Sequence, residues 1–284
     1  MTTFRNVQNM ITAKATIEGA GVHLKRVFGY HQRGLFDPFL LLDDFHSDNP
    51  DDYRAGFPWH PHRGIETVTY ILHGSVEHGD SLGNRGVINS GDVQWMTAGN
   101  GIIHQEMPQI INHGLAGFQL WINLPSADKL MNPRYREIKA AEIPQTKLQN
   151  GVLARVIAGE FNGIRGPVKN LVVHVQYLDI QMSADREVTL SLPAGDTAFA
   201  YIIEGSGRFD ANTETPVMAE NAVLFSEGDQ IKVRSTENPL RFLLVSGTPL
   251  EEPIAWGGPI VMNTQDELQT ALREYQNGTF IKQP

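Results

Sequence analysis

The sequence predicts an all-β fold closed by a single helix, and three observations carry that prediction. Short runs rich in β-branched and aromatic residues recur from about residue 60 onward, separated by turns containing Gly, Asp and Pro. Related turns appear in both halves. Ile71-Leu-His-Gly74 and Ser90-Gly-Asp92 in the first have counterparts in Ile203-Glu-Gly205 and Glu227-Gly-Asp229 in the second, which favours two duplicated β-domains over one continuous sheet. Near the end, Thr264-Gln-Asp-Glu267 is a capping box, in which a Thr hydroxyl and a Glu carboxylate each satisfy a backbone N–H. Leu268, Ala271, Leu272 and Tyr275 then fall at helical spacing and Asn277-Gly278 is a stop signal, so a helix is expected at about 265–276.

Taken in order, Val22, Leu24 and Arg26-Val27 alternate as a strand does, and Asp37-Pro38 turns the chain into the apolar run Phe39-Leu-Leu-Leu42. Residues 46–56 are rich in Asp, Asn and Pro and read as a loop beside the mouth of a site. Thr67–Leu72, Val76–His78, Val93–Met96, Ile102–His104 and Phe118–Leu124 are strands by composition. Residues 125–150, with Pro133, Pro144 and a run of mixed charge, read as a connector. A second series follows at Leu153–Ala158, Leu171–Asp179, Glu187–Leu192, Thr197–Ile203, Ala222–Phe225 and Arg241–Val245. The expected division is 1–130 for a first domain and 131–284 for a second that ends in the helix.

Composition excludes several functions. Lys and Arg number 23 against 32 Asp and Glu, a formal charge of −9 with no basic cluster, which disfavours direct binding of nucleic acid. The chain has no Cys, which removes disulfides, thiolate metal sites and thiol catalysis together. No run of about 18 apolar residues occurs, so no membrane span is expected, and the first residues lack a charged-then-apolar signal pattern. A cytoplasmic monomer is the expectation.

Chemistry concentrates in two short pieces, Phe57-Pro-Trp-His60-Pro-His62-Arg-Gly-Ile-Glu66 and His104-Gln-Glu106. A strand points residues i and i+2 to one face, so each pair can project into one cavity. Three imidazoles and one carboxylate suit iron, manganese, nickel, cobalt or zinc, and the residues do not choose among them. Glu66 shares the parity of His60 and His62, and could reach the cavity or fix a His ring as an acceptor. His46 lies in the acidic loop, His73 and His78 lie near turns, and His23, His31, His113 and His174 lack neighbours with ligand spacing, so all seven read as surface or capping residues. Phe39–Leu42 and Trp95 read as core, Phe57 or Trp59 as aromatics lining a pocket, and Gly99-Asn-Gly101 as close backbone packing near His104.

These motifs resemble a known family. His60-Pro-His62-Arg-Gly-Ile-Glu66-Thr-Val is similar to the first motif of the cupin superfamily in its pirin wording. Gln94-Trp-Met-Thr-Ala-Gly99 with Gly101-Ile-Ile-His104-Gln-Glu106-Met-Pro108 resembles the second. Asp37–Asp43, Leu120–Pro125 and Gly258–Thr264 extend the likeness over nearly the whole chain. The resemblance implies a bicupin, two cupin-type β-barrel domains of which the first holds a metal, usually iron, on His60, His62, His104 and Glu106. It also implies that the Glu66 position is not a ligand and that the second domain carries no metal. Some pirins resemble quercetin 2,3-dioxygenases, which open the flavonol ring with dioxygen and release carbon monoxide. This implies a flavonol-like substrate or related enol, with Glu106 as the base. The alternative implied is a regulatory protein that binds a transcription factor or a metabolic enzyme; a purely structural metal is a third reading.

Overall fold

A computed structural model of the chain describes residues 2–110, 114–210 and 215–282. The strands of its first half are β1 (Val7–Thr12), β2 (Lys14–Glu18), β3 (Val22–Phe28), β4 (Phe39–Ser47), β5 (Phe57–His62), β6 (Ile65–His73), β7 (Ser75–Asp80), β8 (Arg85–Asn89), β9 (Val93–Thr97), β10 (Ile102–Pro108), β11 (Leu115–Asn123) and β12 (Arg134–Ile138). Contacts divide the chain into two compact units.

The first unit comprises Lys14–Leu35, Phe39–Ala140 and Leu250–Pro284. It holds a seven-stranded sheet in the order β12-β9-β6-β11-β4-β3-β2 and a four-stranded sheet in the order β5-β10-β7-β8. Strand β5 lies at an edge, the one place in a sheet where Pro58 and Pro61, which have no N–H to give, cost nothing. Phe39, Leu42 and Trp95 are buried, as their apolar runs require. The helix α1 (Gln265–Gln276) starts at the expected capping box: the Thr264 hydroxyl accepts from the Glu267 N–H at 3.2 Å, and the Glu267 carboxylate accepts from the Thr264 N–H at 2.9 Å. Its buried Leu268 and Ala271 pack with Ala255, Ile260, Met262 and Phe280.

The second unit comprises Met1–Ala13, Phe36–Pro38 and Ala141–Pro249. Its seven-stranded sheet runs Val7–Thr12, Asn221–Phe225, Thr197–Glu204, Leu240–Gly247, Val175–Met182, Leu153–Ala158, Gln145–Lys147. The same antiparallel neighbour pattern therefore recurs in both units. The interior differs: buried Val, Leu, Ile, Ala, Phe and Met side chains such as Val156, Leu178, Ile202, Phe209, Val223 and Phe242 fill this one.

The units cross the division at residue 130 that the sequence suggested. Strand β1 pairs with Asn221–Phe225, which puts the first residues with the second half. The helix and its approach belong with the first half. Residues 125–150 are more than a connector, because β12 pairs with β9 and Gln145–Lys147 pairs with Leu153–Arg155. The pairings of β1 and of β12 join segments distant in the chain, which local composition does not report, whereas Gln145–Lys147 with Leu153–Arg155 is a local hairpin.

Two interactions hold the turn between β5 and β6 against the last part of the chain. Arg63 is buried, and its guanidinium donates to Glu274 at 2.7 Å and to the Phe280 carbonyl at 2.9 Å while lying over the Phe280 ring. Lys129, also buried, donates to the Gly64 carbonyl at 2.9 Å, Asn123 Oδ1 at 2.5 Å and the Val261 carbonyl at 3.0 Å. Three acceptors match the three N–H groups of an ammonium. Gly64 sits at φ +78°, and a Cβ there would lie 1.9 Å from the Val261 carbonyl oxygen.

Gly64→Ala should therefore destabilise the protein by more than about 3 kcal/mol in urea unfolding, since strain and clash act together. Burial pushes Lys129 from 10.5 down to about 7. Between those values the unfolded chain keeps a proton that the folded chain gives up, so stability should rise with pH. The urea midpoint is expected to be higher at pH 9 than at pH 7, and Lys129→Met should lose most of that rise.

Candidate metal centre

Register decides which side chains meet. In the antiparallel pair of β10 with β5, His104 stands opposite His60 and Ile102 opposite His62. The pairing shifts between His104 and Glu106, so that Glu106 faces Phe57. On its other side β10 pairs with β7, which sets Asp80 opposite His104 and His78 opposite Glu106. The result gathers the rings of His60, His62 and His104, with centroids 4.9, 4.4 and 5.0 Å apart for the pairs 60–62, 60–104 and 62–104. One ring nitrogen from each lies within 4.8 Å of the other two.

The hydrogen bonds of two rings fix their tautomers. His60 Nδ1 is 2.9 Å from the Pro58 carbonyl and His62 Nδ1 is 3.1 Å from the Pro259 carbonyl. A carbonyl only accepts, so each Nδ1 carries the proton and donates, and in the neutral ring each Nε2 is left with a lone pair. Those two Nε2 atoms are 3.1 Å apart. Two lone pairs at that distance repel unless a cation lies between them. Two nitrogens at right angles on an ion at about 2.1 Å would be separated by roughly 3 Å.

His104 supports the same conclusion, because both of its ring nitrogens are buried without a hydrogen-bond partner, which is costly unless something else satisfies them. Burial foremost, then the neighbouring His60, holds His62 well below the usual imidazole range. Burial, followed by His62, His60 and His78, does the same to His104. Both are neutral at pH 7, the state in which imidazole binds metal. The donor set fits a divalent transition metal.

Glu106 lines the same cavity as His60 and His62, with its carboxylate hydrogen-bonded to neighbouring side chains. Its Oε1 accepts from the Thr69 hydroxyl at 2.8 Å and its Oε2 from the Gln119 amide at 3.4 Å. Glu66 is buried elsewhere, accepting from the Thr97 hydroxyl at 2.5 Å and pairing with Arg136 at 3.0 Å. Its parity with the histidines does not bring it to them, because Gly64 turns the chain from one sheet into the other.

His78 corrects the sequence reading. It is fully buried, 3.3 Å from Asp80, stacked on Tyr135, with its ring centroid 5.4 Å from that of His104. The spacing His78-x-Asp80 was the available signal. His23, His31, His46, His73 and His174 are exposed as expected, and His113 lies outside the described residues.

A cavity of about 660 Å³ opens over the cluster, lined by His60, His62, Glu106, Thr69 and Gln119 at one part and by Phe45, Phe57, Trp121, Tyr30 and Trp256 elsewhere. Phe57 thus lines it, whereas Trp59 is 51% exposed. Arg26 also faces the cavity, donating to both oxygens of Asp43 at 2.8 Å and pairing with Glu18 at 2.8 Å.

Residues 21–122 match the Pirin family, and residues 177–281 match the Pirin C-terminal cupin domain. The chain belongs to the pirin family. It is 43% identical over 284 residues to a Pseudomonas aeruginosa protein named "Putative quercetin 2,3-dioxygenase", covering 99% of each chain. A crystal structure of quercetin 2,3-dioxygenase from Acinetobacter baumannii aligns with a TM-score of 0.89 at 33% identity, over 98% of this chain and 99% of that one. A bacterial pirin from Escherichia coli, solved in complex with nickel(II), shares the fold at a TM-score of 0.65 and 19% identity, over 85% and 98% of the two chains. Two cupin domains and a C-terminal helix are thus the pirin architecture here, as expected. Among the described residues, no metal-competent cluster of this kind occurs in the second unit.

His104→Leu gives this pirin a direct test. It should abolish retention of metal by elemental analysis, yet stabilise the metal-free protein by about 1 kcal/mol, because a buried ring with two unpaired nitrogens is replaced by an apolar side chain.

Proposed function

We propose that this pirin is a metal-dependent dioxygenase of the quercetin 2,3-dioxygenase type, acting on a flavonol or related enol. The observation that carries the reading is the cavity, which sets aromatic side chains beside His60 and His62 of the three-histidine cluster and the Glu106 carboxylate. His60, His62 and His104 would hold the ion, with Glu106, two residues on from His104 and lining the same cavity, as a fourth ligand or as the base. Iron is the family's usual metal, and nickel, manganese, cobalt and zinc suit the same donors. Bound there, the ion would supply Lewis acidity toward an enolic hydroxyl and the access to dioxygen that side chains lack.

The chain's own residues supply the rest. Glu106 Oε2 is the more weakly held of the two carboxylate oxygens, with its Gln119 contact at 3.4 Å, so it is the atom to accept the substrate's hydroxyl proton. Phe45, Phe57, Trp121 and Trp256 offer flat apolar surfaces to a planar ring system. The size falls within the range of about 300–1,000 Å³ usual for small-molecule sites.

Charge narrows the substrate. Of the ionisable groups on the wall, Arg26 is the cation, and Asp43 and Glu18 already neutralise it. Among the described lining residues no unpaired Lys or Arg is offered to a carboxylate or phosphate on the ligand, so away from the metal itself the wall favours the uncharged rings of a polyphenol.

Protein loaded in turn with iron, nickel, manganese and cobalt should consume quercetin and dioxygen in equal amounts and release carbon monoxide. Intact quercetin under all four metals would overturn the assignment and favour the regulatory alternative, with metal-dependent capture of a protein partner as its signature.

A further inference from the structure

We propose that Arg26 and Asp43 are specificity-determining residues that read a ring hydroxyl at the end of the ligand away from its enol. The proposal rests on the reading of the cavity as a flavonol site, and it names a second contact for that ligand.

Register places one polar row across the sheet that floors the cavity. Thr69 on β6 stands opposite Gln119 on β11, Gln119 opposite Asp43 on β4, and Asp43 opposite Arg26 on β3. All four line the cavity. The rows on either side of it are apolar. Trp121 stands opposite Leu41 on one side, and on the other Phe45 and Leu24 share the face of Asp43 and Arg26, two residues along each strand. Trp121, two residues on from Gln119, lies edge-on to His62 with ring centroids 5.0 Å apart. The row therefore passes beside the histidines at Gln119 and reaches Arg26 two strand spacings away, about 10 Å. A planar ligand lying across the strands with its enol at the histidines brings its far end to the Arg26–Asp43 pair.

The pair can receive a hydroxyl. Arg26 donates to Asp43 from Nε to Oδ1 and from Nη2 to Oδ2, both at 2.8 Å, and its Nη1 meets Glu18 Oε1 at 2.8 Å. A guanidinium has five N–H groups and a carboxylate about four lone-pair sites, so these contacts leave bonding capacity on both residues. A phenolic hydroxyl can donate to the carboxylate and accept from the guanidinium at once, which a bare ring edge cannot do. The two charges cancel within the pair, so the ligand needs none of its own. Bracing β3 against β4 does not require these residues: apolar side chains occupy the flanking rows of the same face, and replacing a buried ion pair by apolar residues is often neutral or stabilising.

Three flavonols test the assignment: 3-hydroxyflavone, which carries the enol alone, and its 7-hydroxy and 4′-hydroxy derivatives, which add a hydroxyl at one end or the other. Dissociation constants are measured by quenching of tryptophan fluorescence, since Trp121 and Trp256 line the cavity. The protein is used as purified, under nitrogen so that no ligand is consumed, as wild type and as the double variant Arg26→Leu/Asp43→Leu, with urea unfolding as the control for fold. One of the two derivatives should bind wild type at least about tenfold more tightly than 3-hydroxyflavone, the scale of a hydrogen bond to a charged group. In the double variant that preference should vanish while 3-hydroxyflavone binds as before. A pair that only braces the strands would instead leave the ratio unchanged and weaken all three ligands together. Should the double variant not fold, Asp43→Asn carries the same expected sign, because a neutral amide accepts the hydroxyl proton more weakly than a carboxylate. Equal or weaker binding of both derivatives to wild type, or a preference that survives in the folded variant, overturns the proposal. Wild type that binds none of the three sinks the flavonol reading and this one with it, whereas flavonols bound without the preference leave that reading standing.

Discussion

Two imidazole nitrogens with their lone pairs facing each other at 3.1 Å are the constraint on which the first unit turns. The arrangement is repulsive by itself and is imposed from outside by two main-chain carbonyls, those of Pro58 and Pro259. Proline at position 58 gives the edge strand an extended backbone and a carbonyl free to meet its own second neighbour. Pro259 fixes His62 from the far end of the chain. The scaffold thereby spends hydrogen bonds to create an unfavourable contact that a cation relieves, the signature of a preorganised binding site. Burial deepens the effect, since it disfavours relief of the repulsion by a proton on His62.

The two units show what one strand arrangement does with different interiors. Each has a seven-stranded sheet with the same antiparallel neighbour pattern and a smaller four-stranded sheet. In the second unit the inward side chains are aliphatic and aromatic and pack against one another. In the first, apolar clusters such as that of Val22, Leu24, Phe45 and Ile71 share the interior with buried polar groups and a cavity. A filled core is the cheaper solution, because apolar burial stabilises without any partner to satisfy. The first unit accepts unpaired nitrogens on His104 and an unpaired oxygen on Glu66 instead. Sites of chemistry are where such costs are tolerated.

Much of this was legible in the sequence. The all-β character, the duplication, the helix and the meeting of His60, His62 and His104 all follow from local pattern: strand composition, a capping box, and residues two apart. What the pattern does not show is register. Glu66 has the right parity, yet Gly64 turns the chain before it, and it ends in a bond with Arg136. His78 sits by turns, yet pairing with β10 places it inside, behind His104. Thr69 and Gln119 are ordinary strand residues whose meaning appears only when Glu106 is laid across from them. Strand β1 and the final helix each belong to the unit formed mainly by the other half, a fact carried by pairings over more than two hundred residues. The register shift between His104 and Glu106 is equally invisible, and it sets Glu106 opposite Phe57 rather than opposite Pro58.

The carbonyl of Pro259 has a further consequence, in time rather than in space. It lies 197 residues after the histidine it orients. During synthesis, His60, His62 and His104 emerge together, but Pro259 follows after a further stretch of chain, roughly 8–30 s at about 5–20 residues per second. In that interval His62 has no fixed tautomer, Arg63 has neither Glu274 nor Phe280, and the turn at Gly64 has no Val261 beside it. Three imidazoles are on hand and the pocket is not. The nascent chain can offer an ion only loose, fluctuating contacts, so selective loading waits for the last segment to close the sheet edge. An ion held by these histidines would thereby be chosen by the finished fold rather than by the order in which ions meet the nascent chain.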